Sequence, residues 1–283
     1  MNHDAHDYKP LPVALESGEG IFVRDVDGRR YFDLPSAYSA VNQGHCHPKI
    51  IEALKKQDDW LTLCSRGTNS NVLGEYEKFM TNLFGYDKLL PINSGVEGCE
   101  SAMKLARRWA YDAKQILGKI ISRCLIKHGL GMLLWVWYFM PDFKVIPYDD
   151  PAALEKVLNT NGNNVAAFMV EPIQGEAGVR AAEDGGYLRK VAEVCPRYNV
   201  LLIVDEVQTG LGRTGKWLCS YYENVRNDIL ILDKTVLCGC YPILTPDQQS
   251  STFGGNLLAC RITMVAVIVV DEENLASNAF KME

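Results

Sequence analysis

Two ionisable residues, Asp205 and Lys234, each follow a short apolar run. Asp205 comes directly after residues 200–204, and Lys234 stands two residues beyond Ile229–Leu232. Short, branched runs of this kind are typical of buried parallel strands, and open α/β sheets hold their ligands at the carboxyl ends of such strands. The pattern predicts that the carboxylate and the amine meet at one edge of a sheet.

A carboxylate and a lysine placed together in this way suit pyridoxal phosphate (PLP). The lysine amine forms a Schiff base with the aldehyde, and the carboxylate keeps the pyridine nitrogen protonated so that the ring can act as an electron sink. Gln208, three residues after Asp205, is within reach of the phenolic oxygen of the ring. A solvated loop charge is the ordinary explanation for Asp205 or Lys234 taken alone, so support has to come from the rest of the chain.

The segment around Gly95 is a candidate phosphate site. An apolar stretch at 89–92 ends at Asn93-Ser94-Gly95, and apolar residues between positions 102 and 110 then recur at helical spacing. Ser94 and Glu97 form a capping box, S-x-x-E, at the start of the predicted helix. The backbone N–H groups of a helix N-terminus favour phosphate, and Gly95 allows it to approach closely. The alternative is an ordinary capped helix.

Strand and helix patterns alternate along the chain. A strand at 165–170, a helix at about 187–194 and a strand at 200–204 follow one another. They predict right-handed crossovers and an α/β fold with a mostly parallel sheet and flanking helices. Near the N-terminus, alternating residues on both sides of Asp27-Gly28 predict a β-hairpin.

The composition allows a large core and narrows the classes of function. The chain has 283 residues, of which 47% are hydrophobic, and a net charge of −6, which argues against a nucleic-acid partner. Its nine cysteines are scattered without metal-ligand spacing, which indicates reduced thiols and no metal site. We expect no membrane span, because no apolar run is long enough. No presequence is visible, so both the cytoplasm and the mitochondrial matrix are open as compartments.

Five segments carry a resemblance to a known family. They are SAYSAVNQGHCHPKI at 36–50, NSGVEGCESAMKLAR at 93–107, VAAFMVEPIQGEAGV at 165–179, LLIVDEVQTGLGRTG at 201–215 and STFGGN at 251–256. Through them the chain resembles the class III aminotransferases, which are PLP-dependent transferases of fold type I. The resemblance implies an N-terminal segment with a β-hairpin at 1–35 and a PLP-binding large domain at 36–283, divergent at 117–140.

The resemblance implies a role for each matching residue of the cofactor site. Lys234 corresponds to the Schiff-base lysine, which also shuttles protons as a general acid and base. Asp205 corresponds to the partner of the pyridine nitrogen, and Gln208 to the partner of the phenolic oxygen. Gly95 and Val96 correspond to the pair that binds the phosphate.

Three further matches concern the neighbouring subunit and the substrate. Thr252 corresponds to a threonine that the neighbouring subunit offers to the cofactor phosphate, which implies a homodimer or a larger homo-oligomer. Tyr38 corresponds to a substrate-binding tyrosine, and Glu176 to a glutamate that helps choose between substrates. A core tyrosine and an exposed loop charge are the alternative explanations for Tyr38 and Glu176.

Within the family, Tyr38 followed by VNQGHCHP favours ornithine as the amino donor. The implied reaction moves the side-chain amino group of L-ornithine to 2-oxoglutarate and gives glutamate 5-semialdehyde and glutamate. Acetylornithine and 4-aminobutyrate are the alternative substrates within this class. A different class of function is an inactive or merely PLP-binding relative that pairs with an intact subunit.

Several departures from the family pattern favour an inactive or merely PLP-binding relative. The stretch 117–140 lacks the Gly-Arg-Thr that accompanies the ring-stacking aromatic residue and the carboxylate-binding arginine. Trp135 or Trp137 is a candidate replacement for stacking. Asn69 replaces an expected tyrosine. Asp233 stands where the family has a glycine before the lysine.

The match to the family ends with the chain, at Glu283. We therefore expect the C-terminal small domain of the family to be absent. That domain covers the N-terminal hairpin, so its loss predicts an uncovered apolar face formed by Ile21, Val23, Tyr31 and Phe32.

Overall fold

The structure is a computed structural model that describes residues 11–116, 143–175, 178–183, 185–234, 238–241 and 253–282. Within these ranges the chain forms two sheets. One is a small three-stranded sheet near the N-terminus, and the other is a five-stranded sheet with helices packed against it.

The small sheet contains the predicted hairpin. Strands β1 (Leu15–Glu19), β2 (Phe22–Asp25) and β3 (Arg30–Phe32) pair in an antiparallel manner in that order. Between β2 and β3 the chain turns at Gly28, whose φ of 81° is left-handed. The Asp25 carboxylate stabilises this turn by accepting hydrogen bonds from backbone N–H groups within it. The hairpin is confirmed, and β1 is an additional strand that the sequence did not predict.

The prediction that Ile21, Val23, Tyr31 and Phe32 form one apolar face of the hairpin was wrong. Val23 pairs with Tyr31, but Phe32 pairs with Phe22, so Phe32 lies on the opposite face of the sheet. Val23 is only 7% exposed, whereas Ile21 is 62% and Phe32 64% exposed. The expectation overlooked that side chains alternate between the two faces of a strand.

The large sheet is mostly parallel, as predicted. Its strands are β4 (Lys88–Leu90), β5 (Ala167–Val170), β6 (Leu201–Asp205), β7 (Ile229–Leu232) and β8 (Cys238–Tyr241), and their order is β4-β8-β7-β6-β5. β5, β6 and β7 are parallel, whereas β8 is antiparallel to both β7 and β4. β4 therefore runs in the same direction as β7. The reversed strand β8 was not predicted.

Seven right-handed α-helices are described. They are α1 (Pro48–Asp58), α2 (Asn71–Phe84), α3 (Gly95–Asp112), α4 (Pro151–Asn161), α5 (Tyr187–Arg197), α6 (Leu257–Glu272) and α7 (Leu275–Lys281). Helices α2, α3, α4 and α6 each begin after a residue whose side chain accepts a backbone N–H of the first turn; these caps are Ser70, Ser94, Asp150 and Asn256. None of the described helices has the length and apolarity needed to cross a membrane.

Both faces of the large sheet are buried, which explains why its strands are apolar throughout. Along β7, Ile229 and Ile231 belong to the same buried cluster as the Ala102 and Ala106 side of α3. Leu230 and Leu232 point to the other face and share a cluster with residues of α2 and α6. The apolar face of α3 is thus confirmed.

Helix α3 packs tightly against the sheet at Gly98. A Cβ added there would lie 2.6 Å from Ile92 Cδ1 and 2.8 Å from Ile231 Cγ2. We expect Gly98→Ala to lower the free energy of unfolding by about 1–3 kcal/mol, because overpacking outweighs the better helix propensity of alanine. Urea unfolding followed by circular dichroism would measure this.

Gly74→Ala in α2 is the matched control, since a Cβ at Gly74 would meet nothing within 4 Å. It should leave stability unchanged or raise it by up to about 1 kcal/mol. Equal effects of the two substitutions would contradict a close approach of α3 at Gly98.

Candidate functional site

Polar residues from three strands and one helix meet at one edge of the large sheet. β6 ends at Asp205, β7 leads through Asp233 to Lys234, and β4 leads to Gly95 at the start of α3. Because β4, β6 and β7 run in the same direction, their carboxyl ends share this edge. Cys99 Sγ lies 3.3 Å from Asp205 Oδ2, and Gly95 N lies 2.9 Å from Asp233 Oδ2. The structure therefore brings the predicted carboxylate, lysine and helix terminus together.

The start of α3 is capped as the sequence predicted, with one difference. Ser94 Oγ accepts a hydrogen bond from Glu97 N at 3.3 Å. The Glu97 carboxylate reaches back to Asn93, one residue earlier than in a standard capping box, and accepts from its backbone N and its Nδ2, each at 2.9 Å. Val96 follows Gly95 and is 38% exposed.

A side chain at position 95 would be crowded at this edge. A Cβ there would lie 3.1 Å from Asp233 Oδ2 and 3.2 Å from Val207 Cγ1. Glycine thus lets an acidic oxygen reach the backbone N–H at the helix N-terminus. In this structure that oxygen belongs to Asp233.

The Asp205 carboxylate is buried, and hydrogen bonds compensate only part of the cost of burying its charge. Its side chain is 4% exposed, and burial raises its pKa to about 6 although Val207 N donates to Oδ1 and the Cys99 thiol donates to Oδ2. Two neutral donors do not replace the water that the ionised group has lost. A cationic partner such as a protonated ring nitrogen would compensate the charge.

Gln208 and Lys234 lie on the loops beyond β6 and β7, and both are half-buried. A Cβ added to Gly175 would lie 3.1 Å from Gln208 Cβ, so the loop after β5 passes directly over Gln208. Lys234 has a left-handed backbone conformation with a φ of 72°, which is uncommon for a residue with a side chain.

Two functional neighbours escaped sequence reasoning. Cys99, which donates to Asp205, stands four residues after Gly95, so helical spacing could have placed it on the same side of α3. Glu206 is 1% exposed and accepts from Thr209 Oγ1 at 2.6 Å, Cys219 N at 2.9 Å and Ser220 N at 2.8 Å. It anchors the loop that follows Asp205, a role that sequence spacing does not reveal.

Tyr38 lies at the surface, outside the group around Asp205. It is 59% exposed and belongs to a turn, Ser36–Ser39, whose four residues all have φ between 45° and 69°. The Arg213 guanidinium holds this turn by donating to Ser39 O at 3.3 Å and to Asn42 Oδ1. Because Arg213 follows β6, the segment that carries Tyr38 is attached to the loop of the candidate site.

The predictions for Thr252, Glu176, Trp135 and Trp137 fall outside the described residues. Glu176 stands in sequence between Gln174 and Arg180, whose backbones pair through two hydrogen bonds of 2.9 Å. Across the described ranges, no three His, Cys, Asp or Glu side chains are grouped so that they could hold a metal ion.

The residues present fit PLP. Asp205 offers a buried carboxylate for the ring nitrogen, and Gly95 offers a backbone N–H that donates to an acidic oxygen. Lys234 adjoins Asp233 and lies near enough for its charge to lower the pKa of that carboxyl. Gln208 adds an amide on the adjoining loop. These are the groups that the aldehyde, phosphate and pyridine functions of PLP require.

Comparisons with known proteins show the family of the chain. The family model described as aminotransferase class-III matches residues 3–283, and the chain belongs to this PLP-dependent family. It is 52% identical to a mitochondrial ornithine aminotransferase of Drosophila melanogaster, over 99% of this chain and 70% of that protein.

Solved structures give the same result. An acetylornithine aminotransferase of Elizabethkingia anophelis has a TM-score of 0.91 and 47% identity, over 99% of this chain and 73% of that one. An ornithine aminotransferase of Toxoplasma gondii, described with partial occupancy of PLP at its active site, has a TM-score of 0.93 and 39% identity, over 99% and 71% of the two chains. The fold class predicted from the sequence, that of the PLP-dependent aminotransferases, is confirmed.

The burial of Asp205 leads to a prediction about stability. At pH 7 the ionised side chain opposes folding, because its pKa is about 6 in the folded protein and 3.8 in a model compound. As the pH falls from about 6 towards 3.8, the folded state binds a proton that the unfolded state does not, so this penalty is relieved. On protein stripped of PLP, we expect Asp205→Asn to raise the free energy of unfolding at pH 7 by about 1–3 kcal/mol.

The gain should shrink as the pH is lowered to about 3, where Asp205 is largely protonated in both states. Asp58→Asn on the exposed surface of α1 is the control and should change stability by less than about 0.5 kcal/mol at either pH. Urea unfolding at several pH values measures both variants. A loss of stability in Asp205→Asn at pH 7 would contradict a carboxylate that burial disfavours.

Proposed function

We propose that the protein is an ornithine aminotransferase, which uses PLP to move the side-chain amino group of L-ornithine to 2-oxoglutarate. The products are glutamate 5-semialdehyde and glutamate. The observation that carries the proposal is the meeting of Lys234, Asp205, Gln208 and Gly95 at one edge of the sheet. The relatives from D. melanogaster and T. gondii, both named ornithine aminotransferases, support ornithine as the substrate.

Bound PLP would supply an aldehyde that condenses with amino groups and a ring that accepts the electron pair left on the substrate carbon when its proton is removed. The Lys234 amine holds the cofactor before the substrate arrives and then moves a proton from the substrate carbon that bears the transferred nitrogen. Asp205 keeps a proton on the ring nitrogen, and its burial strengthens that interaction because little water screens it. Gln208 is proposed to donate to the phenolic oxygen, and the Gly95 and Val96 N–H groups to hold the phosphate.

The substrate side of the site is proposed to involve Tyr38 and Glu176. Tyr38 is exposed on a turn that Arg213 attaches to the loop after β6, so its ring is available to a ligand. Acetylornithine is the alternative substrate, because the E. anophelis structure of similar fold carries that name. 4-Aminobutyrate is a further alternative within the class.

We further propose a homodimer in which Thr252 of one subunit contacts the PLP phosphate of the other. Residues 36–283 are proposed to form the PLP-binding large domain, preceded by the hairpin-bearing segment 1–35. The six free cysteines among the described residues suit a reducing compartment. The cytoplasm and the mitochondrial matrix both meet that condition, and the D. melanogaster relative is named mitochondrial.

Covalent attachment of PLP to Lys234 is the first test. Borohydride reduction of the PLP-loaded protein, followed by peptide mapping, should place the label on Lys234. Lys234→Ala should lose the label and keep its fold, since a half-buried lysine on a loop contributes little to stability. Lys216→Ala, at an exposed lysine, is the control and should retain it. A label on another lysine of the folded protein would contradict the proposed role.

Substrate preference is the second test. With 2-oxoglutarate present, ornithine should yield glutamate 5-semialdehyde with a kcat/KM at least about tenfold above that of acetylornithine, and Lys234→Ala should abolish both reactions. The aldehyde product can be trapped as a coloured adduct. Preference for acetylornithine would contradict ornithine as the substrate and support acetylornithine in its place. PLP attachment without turnover of either substrate would instead support the non-catalytic subunit as the function.

A further inference from the structure

Asp233 makes a contact that the aminotransferase reaction does not use. Its Oδ2 accepts a hydrogen bond from Gly95 N at 2.9 Å, and a Cβ added to Gly95 would lie 3.1 Å from the same oxygen. The carboxylate is therefore seated at the first backbone N–H of helix α3. Ser94 already caps Glu97 N, so Asp233 and Ser94 together satisfy two of the donors at this helix N-terminus.

Phosphate and carboxylate compete for such a position. Both are oxygen acids, and both are stabilised by the N–H groups and the positive end of the helix dipole. An ionised acceptor also forms a stronger hydrogen bond than a neutral one, so Asp233 would hold Gly95 N firmly. The side chain is half-buried between α3 and the loop after β7, where solvent screens the interaction less than at an open surface.

The backbone next to this contact is also unusual. Lys234, the neighbour of Asp233, has a φ of 72°, a backbone conformation that residues with a side chain rarely adopt. Such a conformation persists when surrounding contacts hold it. The hydrogen bond from Gly95 ties Asp233, the residue directly before Lys234, to helix α3. A carboxylate released from Gly95 no longer makes this tie.

We propose that Asp233 is an internal competitor of the cofactor phosphate, which must displace its carboxylate from Gly95 before PLP is seated. The inference rests on the proposed function, because it assumes that the phosphate of PLP binds at Gly95. Competition from Asp233 weakens the binding of PLP. Because Asp233 adjoins Lys234, its displacement by the phosphate also links phosphate binding to the position of Lys234.

The test compares ligands with and without a phosphate group. Asp233→Asn removes the charge and Asp233→Ala removes the acceptor, so affinity for PLP should rise by about tenfold in the first and by at least as much in the second. Pyridoxal has the same aldehyde but no phosphate, and its affinity should change by less than about twofold. Absorbance titration of each protein with PLP and with pyridoxal gives these affinities.

Asp228→Asn is the matched control, because Asp228 precedes the other end of β7 and also accepts a backbone N–H, that of Leu202 at 2.7 Å. It should leave the affinity for PLP unchanged. Equal PLP affinities of wild type and both Asp233 variants would overturn the inference, and so would an equal gain for pyridoxal. Circular dichroism shows whether each variant is folded. If Asp233→Ala does not fold, the comparison of Asp233→Asn with wild type decides the test.

Inorganic phosphate separates this inference from the proposed function. If no variant binds PLP, the proposed function fails, yet a rise in melting temperature with phosphate in Asp233→Asn that exceeds the rise in wild type would still support competition at Gly95. If wild type binds PLP at Lys234 and the Asp233 variants gain nothing with PLP or with inorganic phosphate, the inference fails while the proposed function stands.

Discussion

The close approach of helix α3 to strand β7 at Gly98 governs the geometry of the whole site. There is no room for a side chain between the helix and Ile231, so the helix lies directly on the sheet. This contact sets the height at which Gly95 and Cys99, one helical turn apart, face the ends of β6 and β7. Asp205 and Asp233 then receive donors from the same helix. A helix held farther from the sheet would leave both carboxylates without these partners.

Three carboxylates at this edge are compensated in different ways. Glu206 accepts two backbone N–H groups and a hydroxyl, which makes it a structural anchor for the following loop. Asp233 accepts from the helix N-terminus and lies beside Lys234. Among the described residues, Asp205 accepts from one backbone N–H and one thiol, and burial raises its pKa more than these donors lower it. It is also the carboxylate proposed to pair with the ring nitrogen, and a cationic nitrogen gains most from a group whose charge is so little compensated.

The cofactor side and the substrate side of the site differ in how the fold presents them. Of the residues proposed to bind the cofactor, Asp205 ends a strand, Gly95 begins a helix, and Gln208 and Lys234 lie on the loops directly beyond β6 and β7. Positions next to strand and helix ends suit groups that must keep their places during a reaction. Tyr38 instead lies on a left-handed turn that Arg213 attaches to the same edge. A surface turn tolerates changes in sequence more readily than a strand end. Changes at Tyr38 therefore leave the groups proposed to bind the cofactor in place.

The sequence alone determined the alternating strands and helices, the Asp27-Gly28 hairpin, the cap at Ser94 and the meeting of Asp205 with the lysine loop. These depend on local spacing and on the rule that parallel strands share a carboxyl edge. The tertiary structure alone decided the reversed strand β8, the exposure of Phe32 opposite Val23, the Cys99 thiol on Asp205 and the Asp233 carboxylate on Gly95. Gly95 and Asp233 are 138 positions apart, and only the packing of α3 against β7 brings them together. Hydrogen bonds between such distant residues leave no periodic signal in the chain, which is why spacing could not predict them.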